Sequence, residues 1–241
     1  MQKDRALDAV AGAAAASNAI LFDLFHTLSA IEVTNSPLPP ETWEILGLER
    51  EEWQQAWRAS NQARNRGEST DPYEMVALPA RALDPAIDEQ LIRAAVQTRL
   101  GKFANALLHI APGVLETLAA LRQRGKKLGL VSNADSMEIA AWPRSPLRAA
   151  FDTAVFSCQV GCCKPEPDIY LRACRDLSVS PGECLFVGDG GSRELWGAKQ
   201  LGMTTVHMTG ILARFWPERV AECGAYADYS ISDLRALLGN P

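Results

Sequence analysis

The feature that most constrains this chain is a short apolar run that ends in a carboxylate. Residues Ala19 to Phe22 are all apolar, and Asp23 follows them directly. Because the run is too short for an independent helix and too continuously apolar for a half-exposed strand, it predicts a buried strand of a parallel sheet. Asp23 then lies at the carboxyl end of that strand, the edge where open α/β sheets bind ligands. It is either a turn or cap residue, or a group that attacks an electrophile or holds a metal.

The second half of the chain alternates apolar strands with helices. Strands are predicted over residues 128–131, 154–156, 184–187, 204–207 and 229–231. Helices are predicted over residues 112–124, 137–142, 167–177, 193–201 and 233–238. Strands that alternate with helices indicate a parallel sheet covered on both faces. The predicted fold class is therefore α/β, with a doubly wound parallel, Rossmann-like sheet as its core.

A segment of helical character separates the first strand from the others. From Glu41 to about Asn105, aromatic and apolar residues recur at helical spacing, and Asp71-Pro72 and Asp84-Pro85 are typical of helix starts. Residues 31–40 contain three prolines and are interpreted as a linker. We expect an α/β core over residues 18–28 and 108–241, an all-helical insertion of three to five helices over 29–107, and a tail or short helix over 1–17.

Composition narrows the choice of partners. The formal charge of the 241 residues is −5, and the basic residues are scattered, which gives no electrostatic case for nucleic acid. No apolar run approaches membrane-spanning length.

The six cysteines include no CxxC pair, and in a chain of this length we interpret them as reduced. Because Asp4 and Asp8 interrupt the alanine-rich N-terminus, we interpret it as a helix or tail of a cytoplasmic protein rather than a signal peptide.

Carboxylate, hydroxyl and amine side chains that could act in catalysis follow the predicted strands, or lie in the loops after them, in chain order. They are Asp23, Ser132, Lys164 and the pair Asp189 and Glu194. Taken alone, each is typical of a turn or a surface position. Because all of them lie just past an apolar strand or in its loop, turns are a poor explanation for the whole set.

In this arrangement the chain resembles the haloacid dehalogenase-like hydrolases. The motifs of that family are an Asp with a Thr four residues on, a Ser or Thr after the second strand, a Lys before Pro, and Gly-Asp followed by a second acid. The matching residues are Asp23 and Thr27, Ser132, Lys164, and Asp189 with Glu194. The resemblance covers residues 18–28 and about 110–238, and the insertion is similar to the helical caps of one subgroup.

The resemblance implies a hydrolase that acts on a small anionic molecule through a covalent aspartyl intermediate. Asp23 would be the nucleophile, and Lys164 would neutralise charge on the transferring group and orient Asp23. Ser132 would hold anionic oxygens. The implied cofactor is Mg²⁺, and its implied ligands are Asp23, Asp189, Glu194 and the backbone carbonyl of Phe25.

One position departs from the commonest phosphatase pattern. Phosphatases of this family carry a second Asp two residues after the nucleophile as general acid and base, but here that residue is Phe25. Haloacid dehalogenases carry an aromatic Tyr there, so Phe25 favours a dehalogenase, whereas the fourth motif favours a cation. His26 would either supply the missing proton or be structural, because neighbours on a strand point opposite ways. The residues expected to bind substrate are Asn133, Phe25, His26 and Thr27.

Two questions stay open at the level of sequence. Arg58, Arg64 and Arg66 in the insertion either clamp a substrate or form a solvated helix face. The protein is a Mg²⁺-dependent phosphate-ester hydrolase, a metal-independent 2-haloacid dehalogenase, or a catalytically weak binding or scaffold protein. The expected partner is a small-molecule substrate, and no binding to nucleic acid or membrane is expected. The protein is expected to be a monomer or a homodimer.

Overall fold

The computed structural model describes residues 2–33 and 37–239, and its centre is a parallel sheet. Within those residues the sheet has six strands in the order β3-β2-β1-β4-β5-β6. The strands are β1 (Ala19–Phe22), β2 (Lys127–Ser132), β3 (Thr153–Phe156), β4 (Cys184–Gly188), β5 (Thr204–Met208) and β6 (Tyr229–Ile231). Every pairing between neighbours is parallel. The predicted α/β fold class with a doubly wound, Rossmann-like sheet is confirmed.

Helices cover both faces of this sheet. In chain order they are α1 (Gln2–Ala16), α2 (Thr42–Leu46), α3 (Arg50–Ala59), α4 (Asn61–Asn65), α5 (Pro72–Leu83), α6 (Glu89–Leu108), α7 (Pro112–Gln123), α8 (Ser157–Val160), α9 (Pro167–Leu177), α10 (Glu194–Gln200), α11 (Gly210–Phe215) and α12 (Val220–Cys223). Short 3-10 helices span Trp142–Arg144, Pro146–Ala150, Pro181–Glu183, Gly191–Arg193, Pro217–Arg219 and Leu234–Leu238. Of the two alternatives for the N-terminus, the structure has a helix, α1, which buries Val10 and Ala14.

Strand β1 contributes to the apolar core on both sides of the sheet. Ile20 and Phe22 pack in the cluster that contains α1 and α7, whereas Ala19 and Leu21 pack in the cluster that contains α9 and α10. This is the alternation that a strand buried on both faces requires. Because β1 lies between β2 and β4, the residues that follow it lie near the middle of the edge formed by the carboxyl ends of the strands.

The segment between β1 and α7 is helical. Between Thr42 and Leu108 the described residues form five helices and no strand, and they bury an apolar cluster of their own that includes Trp53, Val76 and Ile92. Met137 of the sheet domain joins that cluster. Of the predicted linker over residues 31–40, positions 34–36 lie outside the described residues, as do residue 1 and residues 240–241.

Two sequence predictions of helices are wrong. Asp84-Pro85 does not start α6; the Asp84 side chain accepts a hydrogen bond from the Ala86 amide in a turn, and Asp88 caps the helix instead. Residues 137–141 form turns that lead into a 3-10 helix at Trp142. The Asp135 carboxylate caps the first of these turns by accepting from the amides of Met137 and Glu138, but Pro143 and Pro146 lack an N–H donor, so the turns do not continue as an α-helix.

Among the described residues, no single helix has both the length and the apolar character needed to cross a membrane. Helices α6 and α7 meet that test only as a pair, which is bent by 52°. Both helices bury residues in the apolar clusters of the protein, including Ile92 in α6 and Leu118 in α7.

Candidate active site

The carboxyl ends of the central strands bring most of the predicted site residues to one edge of the sheet. Asp23 follows β1, Ser132 ends β2 and Asp189 follows β4, while Lys164 lies in the loop before α9 and Glu194 begins α10. All five are buried, with at most 6% of each residue exposed. One carboxylate oxygen each of Asp23, Asp189 and Glu194 lies within 4.8 Å of the others. The structure therefore assembles a buried cluster of carboxylates around a lysine.

Lys164 joins two of these carboxylates. Its ammonium donates to Asp23 Oδ1 at 2.5 Å and also to Glu194 Oε2. Burial alone would lower the pKa of Lys164, but the two carboxylates raise it above its ordinary value, so the side chain stays charged. A buried ion of this kind is tolerated because its partners compensate for lost hydration.

Asp23 is held at both carboxylate oxygens. Thr27, four residues on, donates its hydroxyl to Asp23 Oδ2 at 3.0 Å, while Lys164 occupies Oδ1. Burial raises the pKa of Asp23, against the opposing effect of Lys164. Burial, together with the negative charge of Asp23, also raises the pKa of Glu194 well above its ordinary value. Burial is the main cause of both shifts, and Lys164 offsets it only in part.

Asp189 is the carboxylate of the cluster whose pKa is lowered. Burial alone would raise this pKa, but His26 and the Gly191 amide, which donates to Asp189 Oδ1 at 2.8 Å, lower it. His26 Nδ1 lies 3.7 Å from Asp189 Oδ2, and His26 Nε2 lies 3.2 Å from Glu32 Oε2. Burial alone would lower the pKa of His26, but these two carboxylates raise it to about 9.

His26 reaches the cluster because it is not on a strand. Its φ of 63° places it in the left-handed region, which a non-glycine residue adopts at some cost. The alternation expected of neighbouring strand residues therefore does not apply to it. The local sequence contains no signal for the turn that places His26 in this conformation.

Asn133, which was expected to bind substrate, uses its side-chain amide to bind the backbone carbonyl and the backbone N–H of Lys164. Asn133 Nδ2 donates to the Lys164 carbonyl at 2.9 Å, and the Lys164 amide donates to Asn133 Oδ1 at 2.7 Å. This pair of hydrogen bonds links the loop after β2 to the loop that carries the lysine. A link across 31 positions has no local signal in the sequence.

The side chain of Phe25 contacts the helical insertion. Its ring packs edge to face on Phe103 of α6, with the ring centroids 5.2 Å apart. Phe25 is half-buried and lies two residues after Asp23.

The three arginines of the insertion have different environments. Arg64 is 3% exposed, with Nε 3.3 Å from Asp135 Oδ2 and its guanidinium 3.5 Å from the Trp57 ring centroid, so the solvated-face alternative is wrong for it. Arg58 is exposed and donates to the Gln54 carbonyl. Arg66 donates to the loop that carries Lys164. Neither contact has a signal in the local sequence, because the acceptor of Arg64 lies 71 positions away and those of Arg66 lie 95 and 100 positions away.

Fold and site together define a doubly wound α/β core with a buried aspartate at the end of a central strand. The haloacid dehalogenase-like hydrolase family matches residues 18–202. Because the match covers most of the chain, this protein belongs to that family of hydrolases.

Individual relatives carry different names. A glyceraldehyde 3-phosphate phosphatase of Methanopyrus kandleri is 36% identical over 43% of this chain and 45% of its own length. This chain spans about half the length of the archaeal phosphatases that it matches. A phosphatase structure from Thermococcus onnurineus is 26% identical, with a TM-score of 0.59 over 92% of this chain and 98% of that one.

The likeness to dehalogenases is one of fold. The structure of an L-2-haloacid dehalogenase from Xanthobacter autotrophicus has a TM-score of 0.59, with 21% identity, over 92% of this chain and 97% of that one. Phosphatases and dehalogenases therefore share this architecture, and the choice between the two chemistries depends on the site residues.

Proposed function

We propose that this protein is a Mg²⁺-dependent phosphate-ester hydrolase that uses Asp23 as its nucleophile. The observation that carries the proposal is the charge of the buried cluster. When all three are ionised, the buried carboxylates of Asp23, Asp189 and Glu194 carry three negative charges against the two positive charges of protonated Lys164 and His26. Such a cluster repels a phosphate unless a cation is added, which is what a divalent metal supplies.

The donor set fits Mg²⁺. Carboxylate oxygens at this spacing are the ligands this ion prefers, with water and substrate oxygens completing its coordination. Asp23, Asp189 and Glu194 would hold it, directly or through water, and the family resemblance adds the Phe25 carbonyl. When bound, the ion would neutralise charge that develops on the phosphoryl oxygens.

The protein's own residues account for the remaining chemistry. An oxygen of Asp23 attacks phosphorus and forms an acyl phosphate while the ester oxygen leaves; water then hydrolyses that intermediate and restores the carboxylate. Lys164 orients Asp23 and offsets negative charge on the transferring group. Ser132, at the end of β2, would hold a phosphoryl oxygen. Asn133 supports this chemistry indirectly, since it fixes the backbone of Lys164.

The helical insertion over residues 29–107 would act as the cap over this site. The contact between Phe25 and Phe103 supports that role, because it joins the loop after the nucleophile to α6. The core would then comprise residues 18–28 and 108–241. A cytoplasmic location and a monomeric or homodimeric state stay predictions.

Metal-independent 2-haloacid dehalogenation is the second candidate, and Phe25 is the observation that favours it. An aromatic side chain beside the nucleophile would wall an apolar pocket for a halogenated carbon. The two candidates are separated by assaying phosphate esters and 2-haloacids with and without Mg²⁺. Phosphate release that requires Mg²⁺ supports the first, halide release in the presence of a chelator supports the second, and the absence of both supports a binding or scaffold role.

Magnesium should stabilise the folded protein by mass action. At an ion concentration about 100 times the Kd the gain is about 2.7 kcal/mol, which corresponds to a rise in Tm of about 5–10 °C for a chain of this size. Asp189→Asn should remove most of the rise, whereas Asp176→Asn, which changes a surface carboxylate paired with Arg172, should keep it. Scanning calorimetry with MgCl₂ or with chelator measures the effect. A wild-type Tm that does not respond to millimolar Mg²⁺ contradicts the metal proposal.

A further inference from the structure

The end of α4 contacts the loop that carries Lys164 at several points. Arg66 donates to the Gly161 carbonyl at 2.8 Å and to Glu166 Oε1 at 2.5 Å, so its guanidinium bridges residues on either side of the lysine. Next to it, the Asn65 carbonyl accepts from the Cys163 thiol at 3.7 Å.

The neighbouring glycine brings the two backbones together. A Cβ atom at Gly67 would lie only 2.0 Å from the Cys158 carbonyl oxygen, and the φ of Gly67 is +73°. Only glycine permits this approach without displacing the backbone. The segment Asn65–Gly67 of the insertion is therefore fitted closely to the chain just before Lys164.

The same loop is also held by Asn133, which binds both the amide and the carbonyl of Lys164. The sheet domain thus fixes the lysine backbone itself, and the insertion fixes the residues around it. Lys164 extends from this support to contact Asp23 and Glu194. A shift of the loop would move the ammonium relative to the nucleophile.

We propose that Arg66 is a positioning residue, which holds the loop around Lys164 so that the ammonium is set against Asp23. The proposal rests on the proposed function of the site. It makes the geometry of the lysine depend on the docking of the insertion, because Arg66 belongs to the insertion and its acceptors to the sheet domain. Arg66 acts through the loop and touches none of the reacting groups.

Stability and catalysis should respond differently to the loss of this contact. The side chains of Arg66 and Glu166 are 27% and 40% exposed, and ion pairs in such surroundings contribute little to stability. Misplacement of a catalytic group by about 1 Å, in contrast, costs up to about 10²-fold in rate. A lower kcat with nearly unchanged Tm and KM is the signature of positioning.

The test compares Arg66→Ala with Arg122→Ala on p-nitrophenyl phosphate with Mg²⁺. Arg122 has the same kinds of acceptors, the Ala150 carbonyl and the Asp152 carboxylate, but at the opposite end of the sheet. Arg66→Ala should lower kcat by about 10- to 100-fold, with KM changed less than about threefold and Tm by less than about 4 °C. Arg66→Lys keeps the positive charge but loses the planar guanidinium that binds two acceptors at once, and should recover part of kcat. Arg122→Ala should keep kcat within about twofold of wild type.

Hydrogen exchange tests the hold on the loop without any assay of activity. Amides in residues 158–166 should exchange faster in Arg66→Ala and at the wild-type rate in Arg122→Ala. Unchanged exchange overturns the proposal, whether or not the wild type hydrolyses phosphate. Faster exchange with an unchanged kcat, in an enzyme that Asp23→Asn inactivates, also overturns it. If the wild type has no phosphatase activity but the loop still exchanges faster in Arg66→Ala, the proposed function is overturned and the hold of Arg66 on the loop is supported.

Discussion

Asp23→Asn should abolish phosphate-ester hydrolysis and leave the protein folded. The amide cannot form the acyl phosphate, so the covalent route is lost, at a cost of several orders of magnitude in kcat/KM, about 10³-fold or more. The fold should tolerate the change because burial already raises the pKa of Asp23, which means that the structure disfavours the charged form. The amide oxygen can still accept from Lys164, and the amide nitrogen can donate to Thr27.

The measurement is kcat/KM on p-nitrophenyl phosphate with Mg²⁺, together with circular dichroism and Tm. Asp176→Asn is the control for an Asp-to-Asn change that leaves the site intact. Residual activity within tenfold of wild type, in a variant whose spectrum and Tm are unchanged, would show that Asp23 is not the nucleophile. A contaminating phosphatase is excluded when the loss follows the variant through independent preparations.

What the sequence predicted well were features encoded within a few residues. The apolar run of β1 has a single interpretation as a doubly buried strand, and parallel topology then carries Asp23, Ser132 and Asp189 to one edge. Asp71-Pro72 correctly predicted the start of α5, where the Asp71 carboxylate accepts from the amides of the first turn. Capping and strand burial are local, and so is their signal.

What the sequence could not predict were contacts between distant segments. The Arg66 and Glu166 side chains are 100 positions apart, and the Asn133 amide meets the Lys164 backbone across 31. Nothing in the local pattern distinguishes these polar residues from solvated ones. His26 shows a second limit, since its contact with Asp189 depends on a left-handed backbone that a histidine does not itself demand.

Phe25→Asp should convert a slow phosphatase into a faster one, and the gain should depend on the leaving group. A phosphate ester needs a proton on its departing oxygen, and its acyl phosphate needs an activated water; a positioned general acid and base typically contributes ~10²–10⁴-fold. Phe25 supplies neither. Its ring contacts Phe103 of α6, so an Asp at position 25 would lie where the loop after the nucleophile meets the insertion.

Removal of the ring should be tolerated. Phe25 is half-buried, and loss of its contact with Phe103 costs about 0.5–1.5 kcal/mol beyond the buried area. The matched control is Phe25→Asn, which has the same size as Asp but cannot exchange a proton. Comparison of the two variants therefore separates proton transfer from the opening of space near the insertion.

Steady-state kinetics on an alkyl phosphate and on p-nitrophenyl phosphate give the result. Relative to Phe25→Asn, Phe25→Asp should raise kcat/KM for the alkyl ester by about 10²-fold. The gain on the aryl ester should be less than about tenfold, because a good leaving group needs little protonation. If Phe25→Asp folds, binds Mg²⁺ and gains nothing over Phe25→Asn on either ester, the missing-acid account is wrong. Phe25 would then serve as the wall of an apolar pocket, and halide release from 2-haloacids by the wild type, reduced in Phe25→Asp, would establish the dehalogenase chemistry in its place.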